Sequence, residues 1–209
     1  MRSGVDASIP ACQHPWKQDA SGLQRGAASR LRIRTAVEAS RPFELVRRPA
    51  RGAIVIYLED FAPGQKFVST TLRVDSAAIK AFAAQFDPQP FHLDEDAARG
   101  SFFGGLAASG WHTAALTMRL LVESGFHPAG GIIGSRADEL KWPRPVRPGD
   151  ELHVEAEVLE ARPSTSRPGQ GFIKCRTTTL NQSGEAVQVL TMNLLVQGRP
   201  AQATTASPR

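Results

Sequence analysis

The chain has 209 residues, 41% of them hydrophobic and 22% charged, the range of an ordinary soluble globular protein with enough apolar residues for one domain. No apolar run approaches the roughly 18 residues that span a membrane, so a transmembrane protein is not expected. The net charge of +5 is unevenly placed: residues 1–52 hold ten Lys and Arg against four acids, while residues 53–198 hold thirteen against sixteen, which leaves only the leader as a surface for DNA or RNA.

That leader has Trp16 and Phe43 as its aromatics, shows no sustained helical or alternating period, and contains Pro10, Pro15, Pro42 and Pro49. It is expected to be a disordered basic extension ahead of a native domain that begins near Val55 or Tyr57. The domain is expected over residues 53–198, followed by a disordered tail at 199–209. No apolar stretch follows a charged start, so the leader lacks the form of a secretory signal. No nucleic-acid function is expected from it.

Short strands are expected at Ile54–Tyr57 and Lys66–Val74, joined through the turn Pro63-Gly64. Asp75 or Ser76 is a suitable N-cap for a helix whose apolar residues Ile79, Phe82, Ala83 and Phe86 follow i, i+3, i+4, i+7 spacing. Pro88 and Pro90 disfavour helix in the residues before them, so the helix should stop near Asp87 and continue as a rigid, non-helical segment. This places a carboxylate, Asp87, and an imidazole, His92, five residues apart on a fixed backbone. Such a pair can share one water molecule for acid-base chemistry, although Asp-Pro is also an ordinary helix terminator. Asp94, Glu95 and Asp96 are expected as a solvated helix start, with Asp94 close enough in sequence to tune His92.

Trp111 to Glu123 is apolar on most sides, the pattern of a buried helix, and Gly125 is a natural stop. His112 on that helix is expected in the core, in an interface between copies or in a pocket wall. Strands follow from Ile132 to Trp142, across Leu152, Val154, Ala156 and Val158 with clear alternation, from Phe172 to Leu180, and from Val187 to Val196. Asn181 to Glu185 reads as the hairpin turn between the last two. Helices followed by a run of antiparallel strands give an α+β domain. Cys12 and Cys175 are far apart and in no metal-ligand spacing, so free thiols in a reducing, cytoplasmic compartment are expected, with no disulfide and no bound metal.

The run D-P-Q-P-F-H-L-D-E-D-A-A resembles the signature of MaoC-like dehydratases and (R)-specific enoyl-CoA hydratases, approximately G-D-x-N-P-x-H with a small residue six positions after the His. Asp87, Pro90, His92 and Ala98 fall on those positions. Phe86 stands where the family usually has Gly, and Gln89 where it usually has Asn, which bears on whether the polar group beside the dyad reaches it. The phrase P-V-R-P-G-D-E-L at 145–152 is also similar to the family's, so the resemblance covers approximately residues 57–197.

The resemblance implies a hotdog fold, a curved antiparallel sheet wrapped around a central helix, pairing as a homodimer or higher homo-oligomer. It implies addition of water to a trans-2-enoyl thioester of CoA or acyl carrier protein, or the reverse, with Asp87 as general base and His92 as its partner and with no cofactor. Gly110 falls where the family has an oxyanion-donating glycine, and Ser109 where many members carry His. Ser109 is either a substitute donor or the cap of the buried helix. Gln89 and Phe91 are the further substrate-binding candidates, and Phe91 and Trp142 either line an acyl pocket or simply pack. Two alternatives stand beside this. A hotdog acyl-CoA thioesterase would put its acid on the central helix, which offers only Glu123, and a non-catalytic hotdog scaffold subunit is allowed by Phe86 and Gln89. Cys175 is expected to be structural.

Overall fold

The structure, a computed structural model, describes residues 54–200. The leader at 1–52 and most of the tail, from 201 onward, lie outside the described residues.

Ile54–Tyr57 forms no regular strand; Ile56 makes a single bridge to Pro128, and a 3-10 turn follows at Leu58–Asp60. Arg199, placed in the tail from the sequence, sits on that turn, with its guanidinium paired to Asp60 and lying 4.8 Å from the Tyr57 ring centre. The next strand is split into β1 (Lys66–Val68) and β2 (Leu72–Arg73), both paired antiparallel to the long strand Glu151–Pro163. Helix α1 runs from Ser76 to Phe86, and Asp75 caps it by accepting from the Ala78 N–H at 2.7 Å. Ile79 and Ala83 are buried, as their spacing requires, but Phe86 is 63% exposed and packs at a tilt against Phe82.

Past Asp87 the backbone departs from the non-helical segment expected. Asp87, Pro88 and Gln89 are irregular, yet Pro90 opens a single helical turn, α2 (Pro90–Leu93). A proline's fixed φ and missing N–H suit the first helical position, so the same residue that disfavours helix before it starts helix after it. Helix α3 (Glu95–Arg99) follows at once, capped by Asp94, whose carboxylate accepts from the Ala97 N–H at 2.8 Å. Asp94 is thereby a cap, and no bond links it to His92.

The long helix α4 (Gly110–Glu123) lies against the sheet formed by β4 (Glu151–Pro163), β5 (Gln170–Leu180), β6 (Ala186–Gln197) and β3 (Ile133–Lys141). The sheet order is β1-β4-β5-β6-β3, antiparallel throughout, with β2 also on β4. Alternation in β4 decides its faces: Leu152, Val154, Ala156 and Val158 are buried under α4 while the glutamates between them turn outward. In β5 the same face carries Ile173, Cys175, Thr177 and Thr179. The hairpin at Asn181 closes because its side-chain oxygen accepts from the Ser183 and Glu185 N–H groups at 3.0 and 2.9 Å. Edge strand β3 is largely exposed and bears alternating charges, Arg136 and Asp138, Glu139 and Lys141. Charge on an edge discourages uncontrolled strand addition. Among the described residues, no helix is long and apolar enough to cross a membrane.

Candidate active site

Four backbone pieces meet at the start of α4: the end of α1, the turn α2, the loop 100–108 and the first turn of α4 itself. Asp87 is the C-cap of α1, held by its own N–H on the Ala83 carbonyl at 2.9 Å. Its Oδ2 faces His92 Nε2 at 3.4 Å. Its other oxygen, Oδ1, accepts from Gln89 Nε2 at 2.7 Å. The substitution of Gln for Asn is thus absorbed: the longer side chain folds back two residues and reaches the carboxylate.

His92 is 4% exposed and is oriented from behind. Its Nδ1 lies 2.7 Å from the Ala107 carbonyl, an acceptor only, so Nδ1 carries the proton and donates. That leaves Nε2 as the nitrogen that faces Asp87. Phe91 and Phe103 wall the imidazole at ring separations of 4.6 and 5.9 Å. Phe91 therefore packs on the dyad itself.

Ser109 is the cap of the buried helix. As N-cap of α4 its hydroxyl oxygen accepts from the Trp111 N–H at 3.2 Å, and the hydroxyl also bonds to the Asp87 carboxylate. Partial burial pushes the Asp87 carboxyl up, but the bonds from Ser109 and Gln89 and the adjacent His92 outweigh it and leave the group below its usual range. The carboxylate is the favoured form. Gly110 is the first residue of α4, where backbone N–H groups lack helical partners and the helix dipole is positive.

Several contributors are invisible to a reading along the chain. Arg147, within the phrase P-V-R-P-G-D, reaches back more than forty residues to donate to the carbonyls of Phe103, Gly105 (2.6 Å) and Leu106 (3.1 Å). The Ala108 N–H donates to the Val146 carbonyl at 2.9 Å. Arg147 and Val146 thus fix the loop whose next carbonyl, on Ala107, orients His92. Arg147 also lines an open cleft of about 620 Å³ with Arg99 and Pro148; neither Asp87 nor His92 borders it. Trp142 lies over Gly110: a Cβ built there would come within 2.8 Å of the indole. The one visible signal was Gln188, an amide set among Val187, Val189 and Leu190, whose Oε1 accepts from the Trp142 N–H at 2.8 Å.

The other candidates resolve simply. His112 is buried and stacks flat on Phe82 at 4.7 Å, and its Nδ1 has no bonding partner among the described residues. Burial holds its imidazolium form below the ordinary histidine range, against the pull of Asp75. Cys175 is buried in β5, and burial pushes its thiol up to about 12. Glu123 lies at the far end of α4, paired with Arg119 at 3.0 Å.

The geometry has relatives. The MaoC-like domain model matches residues 60–178. YdeM of Bacillus subtilis, an uncharacterised protein, is 37% identical over 125 residues, which are 60% of this chain and 87% of that one. The crystal structure of a MaoC-like dehydratase from Rhodospirillum rubrum is 62% identical, with a TM-score of 0.68 over 70% of this chain and 99% of the other. The R-hydratase PhaJ1 from Pseudomonas aeruginosa is 26% identical, with a TM-score of 0.55 over 74% and 96%. The sheet wrapped on α4 is the hotdog fold of these structures. With its motif residues gathered on that fold and the family model spanning more than half its length, this chain belongs to the MaoC-like domain family.

Proposed function

We propose that the protein is a hydratase/dehydratase that adds water across the double bond of a trans-2-enoyl thioester of CoA or acyl carrier protein, or removes it from the 3-hydroxyacyl thioester. The observation that carries this reading is the opposition of Asp87 Oδ2 and His92 Nε2 across 3.4 Å, while Nδ1–H is committed to the Ala107 carbonyl. A water molecule set against both atoms is within reach of an acid and an imidazole at once.

In the forward direction Asp87 takes a proton as the water oxygen bonds to C3. The π electrons move toward the carbonyl, and the thioester oxygen gains negative charge. The Gly110 N–H at the helix start is the donor for that oxygen, where a preorganised donor is worth roughly 100- to 1,000-fold in rate. His92 orients the water, and a proton leaves the dyad through Nε2 to C2, so the pair ends as it began. Ser109 and Gln89 act on Asp87, keeping it ionised, and Phe91 with Phe103 excludes solvent from the imidazole. The family and the R-hydratase relative support the reaction class. A homodimer or larger homo-oligomer, acting in the cytoplasm without a cofactor, belongs to the same proposal.

The test follows the conjugated enoyl absorbance with crotonyl-CoA and a longer trans-2-enoyl-CoA, comparing wild type with Asp87→Asn and His92→Ala. Loss of absorbance in wild type, abolished by either substitution, is the expected result. Release of free thiol would instead establish a thioesterase. A flat trace across chain lengths from folded protein would favour the scaffold reading.

A further inference from the structure

Gln188 poses the question. It points toward α4 from β6 and is fully buried, at a place where an aliphatic residue would bury more apolar surface at no polar cost. Its bonds explain it. The indole of Trp142 has only a donor, so the Gln188 oxygen faces Trp142 and the amide nitrogen faces Thr117 Oγ1, at 3.0 Å. Thr117 has one hydroxyl proton and a carbonyl neighbour, that of Thr113 at 2.9 Å, which can only accept. Thr179, 2.6 Å away on β5, then donates to Thr117. The indole N–H fixes the sense of the Gln188 amide, because turning the amide over would leave that N–H without an acceptor.

What the network holds is the indole, and what the indole touches is the peptide at the head of α4. A Cβ on Gly110 would meet Trp142 Cε2, Cδ2 and Cζ2 at 2.8, 2.9 and 3.1 Å, so the ring lies directly on the glycine backbone. Trp111 meets the Trp142 ring edge-on at 5.5 Å. Thr113 Oγ1, one turn along, donates to the Ser109 carbonyl at 3.3 Å. Trp142 nonetheless keeps 40% of its surface exposed, so the ring is both anchored at its N–H and open on part of its surface.

We infer that Trp142, pinned by Gln188, Thr117 and Thr179, is the positioning residue of the oxyanion donor: its indole fixes the Ser109–Gly110 peptide so that the Gly110 N–H stays aimed where thioester charge develops. This rests on the hydratase reading above. It predicts a specific kinetic signature, because a donor that matters in the transition state affects turnover more than ground-state binding.

The experiment compares wild type, Trp142→Phe, Trp142→Ala and Gln188→Met. Each is assayed for kcat and KM with crotonyl-CoA and, by calorimetric titration, for affinity and stoichiometry toward butyryl-CoA, a saturated thioester that cannot be hydrated. The expected result is a fall in kcat of roughly 10- to 100-fold, the scale of an ångström of misplacement at a reacting centre. KM and the butyryl-CoA affinity should stay within about twofold of wild type, with unchanged stoichiometry, as interactions confined to the transition state require. Gln188→Met should follow Trp142→Phe, since both remove the same anchor and leave the ring space filled. Unchanged kcat in the Trp142 variants would overturn the inference. So would a fall in kcat matched by a fall in binding stoichiometry, which would mean misfolding alone. If wild type hydrates no enoyl thioester, the hydratase reading itself fails and this inference with it.

Discussion

Arg147→Met is the substitution whose outcome depends most on the tertiary structure. The side chain keeps much of its length but loses the donors that hold the carbonyls of Phe103, Gly105 and Leu106. A hydrogen bond to a charged donor contributes about 1.5–3 kcal/mol, and three bonds at the rim of an open cleft, discounted for solvent, together contribute about 2–4 kcal/mol. At about 2–4 °C per kcal/mol for a domain of this size, the melting temperature should fall by about 4–16 °C. Turnover should fall as well. Loop residues 103–106 lead directly into Ala107, whose carbonyl sets the His92 ring at 2.7 Å, and an ångström of drift there is worth up to about 100-fold. Arg147→Lys should lie between, because an ammonium cannot span three carbonyls with a planar fork. The assays are thermal unfolding and enoyl-CoA hydration well below the transition. A variant with native melting temperature and native kcat would refute the chain of contacts from Arg147 to His92.

Gly110→Ala should collide with the indole, at 2.8 Å where carbon atoms prefer about 3.5–4.0 Å, and cost about 1–3 kcal/mol with loss of hydration activity; the loss should ease when combined with Trp142→Ala. Thr117→Val leaves the Gln188 amide without its buried acceptor and should destabilise by about 1–3 kcal/mol in denaturant melts, despite matched shape. His112 has its folded pKa lowered by burial, so the fold binds fewer protons than the unfolded chain below the ordinary value of 6.5. Its contribution is complete above that value, and stability should decline as pH falls below it, by at most about 1.4 kcal/mol per pH unit. His112→Phe, which retains the stack on Phe82, should flatten that part of a stability profile. The Cys175 thiol, pushed up to about 12 in a buried strand, should react with a thiol reagent only on unfolding.

The chain read in order yielded the signals that are local. Alternation in β4, the Asp75 cap, the apolar period of α1 and the apolar character of α4 each depend on residues within a few positions; the first two stand in the structure as spaced, whereas Phe86 at the end of α1 is exposed and α4 buries one face only, leaving Trp111, Met118 and Val122 exposed. The pairing of Asp87 with His92 is local too, because five residues with two prolines confine it. Even there the details came from geometry. Pro90 starts a helical turn, Asp94 spends its carboxylate on a cap, and Gln89 reaches the acid in spite of its extra methylene. What only the tertiary structure decided is what surrounds the dyad. The Ala107 carbonyl behind His92, the Arg147 guanidinium on loop 103–106, and the Trp142 ring on Gly110 join residues 15, about 42 and 32 positions apart. Such contacts leave no period and no spacing in the sequence. They exist because the sheet, by burying one face on α4, brings the ends of distant segments to a common point, where donors and acceptors removed from water must find one another.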